Sequence, residues 1–427
     1  MPLFIIITTI VLIICSILYF PTIKVKNITI SSYWPISLIG ALLLLLTNSI
    51  PIDLIIDAFT ANNSMNPIKI LVLFISMTIL SIFLDEVGFF RYVANKAIKV
   101  LNGSQTKLFI GLYILISFLT VFTSNDIIIL TFTPFICYFA KNSKINPIPY
   151  LISEFVAANT WSMALIIGNP TNIYLSSAFN IDFIKYLQTM ILPTLVASVV
   201  SFLILYLLFR KQLKTEINSS YNIEEVKIDK GLLIIGLFHL ITTTVLIAIA
   251  SYINIEMWLI TLGFSLSLIL TTSIYVTVKK LKFDIIFKTL KRAPYALIPF
   301  VLSMFVIVLT LTNEGITSSI SNLLNKTNPV FSFGIGGALI ANLINNIPMS
   351  VLFANMTFAS SASIYASIIA SNIAAYITPV GALAGIMWMS LLKTYEINFS
   401  FKKFSMYGLI IGIPTLLAAL LTLFIII

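Results

Sequence analysis

The chain has 427 residues, of which 59% are apolar and only 9% charged. A soluble domain carries about 25% charge, so a water-facing surface of this size is excluded, as is a disordered chain, which needs low hydrophobicity. The net charge of +10 does not point to nucleic acid, because the basic residues fall in short loops on one side.

Apolar runs of about 20 residues recur from end to end, and the mean hydropathy is +1.06, which together indicate a polytopic helical membrane protein. The first run, Leu3 to Phe20, has no basic leader and no small-residue cleavage site, so it reads as a retained span. Further spans are expected at 34–50, 67–84, 190–209, 231–251, 257–278, 294–313 and 405–427. Cys15 and Cys137 lie in apolar runs and read as packing residues. Asp85, Glu86 and Arg91 mark the inner end of the third span, and 86–101 reads as an interfacial amphipathic helix.

Orientation follows from Lys and Arg. One threading leaves only Lys69, Lys185 and Lys326 outside and puts the rest of the 25 basic residues inside, from Lys24 and Lys26 through the central loop to Lys402 and Lys403. Both termini are then outside, in a multi-pass protein of a prokaryotic-type plasma membrane. Lys107 and Lys141 must share a side, yet residues 108–140 between them are almost wholly apolar. One straight helix of that length would span about 50 Å, so the stretch is expected to fold as a re-entrant hairpin. Its two half-length arms would meet at Ser124-Asn125-Asp126. Non-helical backbone at that depth survives only against protein or a wet cavity, which makes the tip a candidate site.

The pattern recurs. Residues 329–356 are interrupted at Asn345-Asn346-Ile347-Pro348, and by the charge rule this hairpin enters from the outside. Each hairpin is followed by an interrupted helix. The first (147–189) breaks at Gly168-Asn169-Pro170-Thr171-Asn172, and the second (364–392) at Thr378-Pro379-Val380-Gly381-Ala382. Proline removes a donor and clashes with the preceding turn, while glycine permits unusual torsions. The fold expected is an all-α polytopic membrane protein of two inverted-topology repeats, 1–209 and 231–427, joined by a cytoplasmic linker at 210–230. Paired interrupted helices of this kind point to the binding site of a secondary transporter.

Asp126 is the one carboxylate expected near the bilayer midplane and the candidate for proton or sodium coupling; capping the following arm is its alternative role. Asn125 and Asn346 offer acceptors and donors without a charge to desolvate. Ser124, Thr123 and Asn345 stand beside them, and Gly168, Asn169, Pro170, Thr171, Asn172, Thr378, Pro379 and Gly381 belong to the breaks. Asn125, Asn169, Asn346 and Thr378 are the candidate sodium ligands. Asn159 and Asn372 either face the site or bridge helices. Glu154, about seven residues past Pro147, is expected near the inner interface, solvated or paired. His239 reads as a satisfied packing residue.

Residues 83–91, Phe-Leu-Asp-Glu-Val-Gly-Phe-Phe-Arg, resemble the signature after the third span of arsenite/antimonite exporters. The Ser124-Asn125-Asp126 tip resembles the hairpin of the same family. Residues 167–172, Asn345-Asn346-Ile347-Pro348 and 377–381 are similar to motifs of the wider ion transporter superfamily, which also holds sodium/proton antiporters and sodium-coupled di- and tricarboxylate carriers. The resemblance covers nearly the whole chain in motif order. It implies a scaffold and a moving domain, usually in a homodimer, with no cofactor beyond a coupling proton or sodium ion. Carboxylate carriers have Ser-Asn-Thr at both tips; here the third positions are Asp126 and Ile347, and a fixed negative charge would repel a dicarboxylate.

The expected function is therefore secondary active transport by alternating access, with proton-coupled export of arsenite or antimonite as the leading form. A sodium/proton antiporter and a sodium-coupled anion carrier are the alternatives. A small inorganic ion or small anion is the expected substrate, the bilayer the solvent, and a separate ATPase subunit a candidate partner. A membrane-embedded enzyme would need a carboxylate cluster or nucleophile constellation that the sequence lacks, and a channel would reveal itself by single-channel currents.

Overall fold

The computed structural model describes every residue except Pro21, Lys26, Asn27, Ser64, Met65, Asn102, 215–226 and Ala359. Lys26 and most of the expected linker therefore lie outside the described residues. Among the described residues there are twenty α-helices. The first ten are α1 (Pro2–Tyr19), α2 (Tyr33–Leu46), α3 (Ile52–Thr60), α4 (Pro67–Glu86), α5 (Phe89–Leu101), α6 (Gln105–Val121), α7 (Asn125–Asn142), α8 (Ile148–Trp161), α9 (Pro170–Ala178) and α10 (Phe183–Phe209). The second ten are α11 (Lys230–Ala248), α12 (Met257–Val278), α13 (Asp284–Arg292), α14 (Leu297–Asn313), α15 (Ile316–Leu324), α16 (Pro329–Ile344), α17 (Asn346–Ala354), α18 (Ser361–Ile373), α19 (Leu383–Thr394) and α20 (Phe401–Ile426).

The two sets follow the same order of long, short, hairpin, interrupted and long helices. Their packing follows the same order too. Helix α2 lies on α14 and α4 on α12; α7 lies on α19 and α9 on α17; α6 packs on α8 and α16 on α18; α10 meets α20. Exchanging the two sets turns each of these contacts into another of them.

Among the described residues, six helical segments are long and apolar enough to cross a membrane, among them α4, α10, α12 and α20. Their outer faces expose large apolar side chains such as Val199, Leu203, Leu270, Ile274, Ile410 and Leu417, a surface suited to lipid rather than water. Small residues line the inner seams. On α20, a methyl group added at Gly408 would lie 2.2 Å from the Tyr376 carbonyl oxygen, so only glycine lets these backbones come together.

Helices α8 and α18 are different. Every residue from Pro149 to Thr160 and from Ala362 to Ile373 is buried. A helix apolar or satisfied all round sits at the centre of its protein, and these two form the middle of the molecule, touching each other.

Four expectations need correction. The last span of the first half begins at Phe183 instead of 190, because Asp182 caps the helix by accepting from the Lys185 amide at 2.8 Å. The arms of the first hairpin hold 17 and 18 residues, about 26 Å each, so they are longer than half a span, and the tip reaches Asn159 near the end of α8. The basic loop expected after 278 holds the amphipathic helix α13, and α3 and α15 are further short amphipathic helices. A two-stranded antiparallel hairpin, β1 (Thr22–Val25) and β2 (Ile28–Ser31), joins α1 to α2 with Thr22 opposite Ser31. His239 is a packing residue, with Nδ1 2.7 Å from the Ile235 carbonyl and Nε2 3.1 Å from Ser267.

Among the described residues, ion pairs at two places tie the halves together. Lys69 Nζ donates to both Glu256 carboxylate oxygens at 2.9 and 2.7 Å, and that bond holds the Glu256 carboxyl below its ordinary range. Arg292 on α13 reaches Asp85 at 2.8 Å and also bonds Glu86, at the end of α4.

Candidate functional site

The first tip is a short link between α6 and α7. Ser124 Oγ accepts from the Ile127 amide at 3.5 Å and so caps α7, as a serine at that position does. Asn125 is 2% exposed and donates through Nδ2 to Asn159 Oδ1 on α8 at 2.9 Å. Its own Oδ1 is buried and has no hydrogen-bond partner. Asp126 makes no hydrogen bond or ion pair among the described residues; its carboxylate lies within electrostatic range of Tyr33 on α2.

The first break is longer than the proline motif suggests. Helix α8 ends at Trp161, a single 3-10 turn covers Ile166–Gly168, and α9 restarts at Pro170. Gly168 is forced: a Cβ there would lie 2.2 Å from the Ser162 carbonyl oxygen. Asn169 caps α9, its Oδ1 accepting from the Thr171 amide at 3.2 Å and from Thr171 Oγ1 at 3.0 Å. Asn172 donates to the Ser162 and Leu165 carbonyls at 2.7 and 3.1 Å, which satisfies backbone that the break leaves open.

The second half repeats this construction. Asn345, at φ 79°, accepts from the Ile347 amide at 3.2 Å and donates to the Val380 carbonyl at 3.0 Å. The Asn346 amide donates to the Gly381 carbonyl at 2.9 Å. Tip and break are thus bonded directly. A Cβ at Gly381 would lie 2.2 Å from the Ala374 carbonyl oxygen, matching Gly168. Thr378 donates to Asn342 Oδ1 at 2.7 Å.

Asn372 joins the two halves. Its Oδ1 accepts from Ser162 Oγ at 2.8 Å and Asn169 Nδ2 at 3.1 Å, and its Nδ2 donates to Asn172 Oδ1 at 2.7 Å. Ser162 Oγ also stands 2.8 Å from the Asn159 carbonyl, so its single proton has two acceptors. Ser371 Oγ meets Thr171 Oγ1 at 2.9 Å, and its carbonyl accepts from Asn346 Nδ2 at 3.3 Å. A continuous polar chain therefore runs from Asn125 at one tip, through both interrupted helices, to Asn346 at the other. All of its members are buried.

Of the residues singled out from sequence, Asn125, Asn169, Thr171, Asn172 and Asn346 belong to this chain. Gly168, Pro170, Pro379 and Gly381 shape its backbone. Asn345 and Thr378 bond beside it, and Asp126 stands next to it without a partner. Asn159 and Asn372, read as site-facing or bridging, bridge. Sequence reasoning missed Ser162, Asn342 and Ser371; Asn342 lies one turn before Asn345 on the arm, which was a readable signal. Glu154 departs from expectation. It is 0% exposed and, among the described residues, accepts only from Thr133 Oγ1, at 2.9 and 3.0 Å. No Lys or Arg is buried anywhere among the described residues.

Comparison with known proteins agrees with this architecture. The family profile described as citrate transporter, CitMHS, matches residues 10–368. The arsenical pump membrane protein of Yersinia enterocolitica is 27% identical over 368 residues, covering 81% of this chain and 84% of that protein. That of Escherichia coli K12 is 26% identical over 367 residues, covering 81% and 84%. The putative arsenical pump membrane protein of Bacillus subtilis is 26% identical over 381 residues, covering 81% and 85%. Among solved structures, the YdaH transporter of Alcanivorax borkumensis, described as having an unusual topology, aligns over 100% of this chain and 97% of its own with a TM-score of 0.57 at 13% identity.

Proposed function

The chain belongs to the citrate-transporter (CitMHS) family, and from that premise we propose that this membrane transporter exports arsenite or antimonite in exchange for protons. The observation that carries the reading is the charge of the site. The polar chain offers amides and hydroxyls, the adjacent Asp126 is acidic, and no buried basic side chain is at hand. Citrate would enter that surface with its charge uncompensated, at a cost of several kcal/mol for each desolvated carboxylate. Arsenite at neutral pH is an uncharged trihydroxide, and its hydroxyls suit the unpartnered Asn125 oxygen and the neighbouring amides. The arsenical pump names of the relatives at 26–27% identity support the same substrate class.

The two hairpins enter from opposite sides, and alternating access runs around the polar chain between their tips. The exchange symmetry of the helix contacts supports an inverted repeat of 1–209 and 231–427. The ion pairs support the threading: Lys69 and Glu256 both fall on its outer side, and Arg292, Asp85 and Glu86 on its inner side. The working unit is a homodimer in the plasma membrane, with a separate ATPase as an optional energiser. The family description favours one second reading, a sodium-coupled carboxylate carrier in which bound sodium supplies the missing positive charge.

Everted membrane vesicles separate the two. Arsenite accumulation driven by an imposed proton gradient and indifferent to sodium is the expected result. Sodium-dependent citrate accumulation with no arsenite movement overturns it.

A further inference from the structure

Glu154 lies five residues before Asn159 on α8, about 7.5 Å along the axis, and outside the polar chain. Its surroundings are unusual for a carboxyl group. It is 0% exposed. The Thr133 hydroxyl on α7 reaches both of its oxygens. The Trp388 indole N–H on α19 stands beside it but outside hydrogen-bond geometry, and it has no other partner among the described residues. The Trp388 ring packs 5.1 Å from Phe155 and lines an apolar void of about 20 Å³.

The other titratable groups nearby are neutral or engaged. Cys137, one turn beyond Thr133, faces the carboxyl from α7. From α6, Tyr113 is bonded to Ser198 and Ser201. On α8 itself Tyr150 is bonded to Gln105. Between α18 and α19, Tyr376 accepts from Thr160. Lys141 on α7 and Lys393 on α19 lie toward the helix ends and are exposed. From α20, Phe404 packs on the rings.

A lone carboxylate with one neutral donor and no cation is a costly occupant of this interior. A carboxylic acid fits it, since Thr133 can donate to one oxygen and accept the acid proton from the other. We propose that Glu154 is a second proton-binding residue, protonated in this conformation and discharged in another. Loss of the proton leaves an anion that calls for a further donor, and the unpartnered Trp388 indole is placed to supply it, with the adjoining void giving the ring room to turn. Helix α7 is an arm of the first hairpin and α19 the second limb of the second broken helix. The charge of Glu154 thus sets how the two halves lean on each other. This inference deepens the proton-coupled reading without depending on the substrate.

Infrared pH-difference spectra of the purified full chain in liposomes test it. The expected result is a carboxylic-acid C=O band that disappears in Glu154→Gln and persists in Asp126→Asn. Trp388→Phe, which removes the waiting donor, should move the midpoint of that band to higher pH. In vesicles, Glu154→Gln should flatten the pH dependence of transport, with about a tenfold loss of the acid-to-alkaline contrast. Superimposable spectra of Glu154→Gln and the unaltered chain across the pH range overturn the proposal. If Glu154→Gln does not fold, Thr133→Val and Trp388→Phe take its place, and an unmoved band in both overturns it. A band that behaves as expected in a protein that moves no arsenite sinks the substrate reading and leaves the proton site standing.

Discussion

At the scale of single residues, the polar groups of the site differ in what they are free to do. Asp126 makes no hydrogen bond or ion pair among the described residues and lies only within electrostatic range of Tyr33, so its removal should change coupling and not folding. Asp126→Asn is expected to lower proton-driven arsenite transport by about tenfold or more while the protein reaches the membrane in normal amount; unchanged pH dependence in vesicles would remove it from coupling. Asn372 is the opposite case, with partners on Ser162, Asn169 and Asn172. Asn372→Ala strands those buried groups, each at about 1–3 kcal/mol, so lower thermal stability in detergent should accompany the loss of transport. The asparagines were legible from sequence because an amide in an apolar run is conspicuous. The burial of Glu154 did not follow from its distance to Pro147. The better signal was that Ser153, Glu154, Asn159 and Thr160 lie around α8 without leaving one apolar face, the mark of a helix buried on all sides.

At the scale of elements, the breaks depend on glycine at contact distance and the halves depend on charge. Gly168→Ala and Gly381→Ala each place a methyl 2.2 Å from a carbonyl oxygen, so each should sharply reduce the yield of folded protein, whereas Gly263→Ala, with nothing within 4 Å, should be neutral. Size-exclusion profiles after extraction give the comparison. Arg292 is the partner of the nearly inaccessible Asp85. Arg292→Ala should cost roughly 3 kcal/mol, the low end for breaking a buried pair because the guanidinium itself is partly exposed, and a second change of Asp85→Asn should recover part of it. The short helix α13 lies in a segment expected to be a loop because charged residues crowd it. In α13 the apolar Ile285, Ile286 and Leu290 lie on one side of a helix whose other side carries Lys288, Lys291 and Arg292, a pattern with a readable period.

At the scale of the molecule, the apolar outer surface and the doubled helix order make one membrane-embedded body with its polar chain at the centre. Cysteines placed at Lys107 and Lys141, in a chain freed of Cys15 and Cys137, should react with an impermeant thiol reagent from the same face. One at Glu256 should react from the other. Labelling of 107 and 141 from opposite faces would remove the first hairpin from the mechanism. The sequence by itself located most of the long apolar helices, the two tips and the two breaks, because each depends on local facts: the length of an apolar run, a proline or glycine within it, a lysine at its end. Only the tertiary structure decided that Asn372 meets Asn169 and Asn172, that Ser371 meets Thr171, and that Glu154 lies between Thr133 and Trp388. Those meetings join residues up to 234 positions apart, and they arise from how α9 packs on α18 and α7 on α19, a choice among helix faces that no spacing along the chain records.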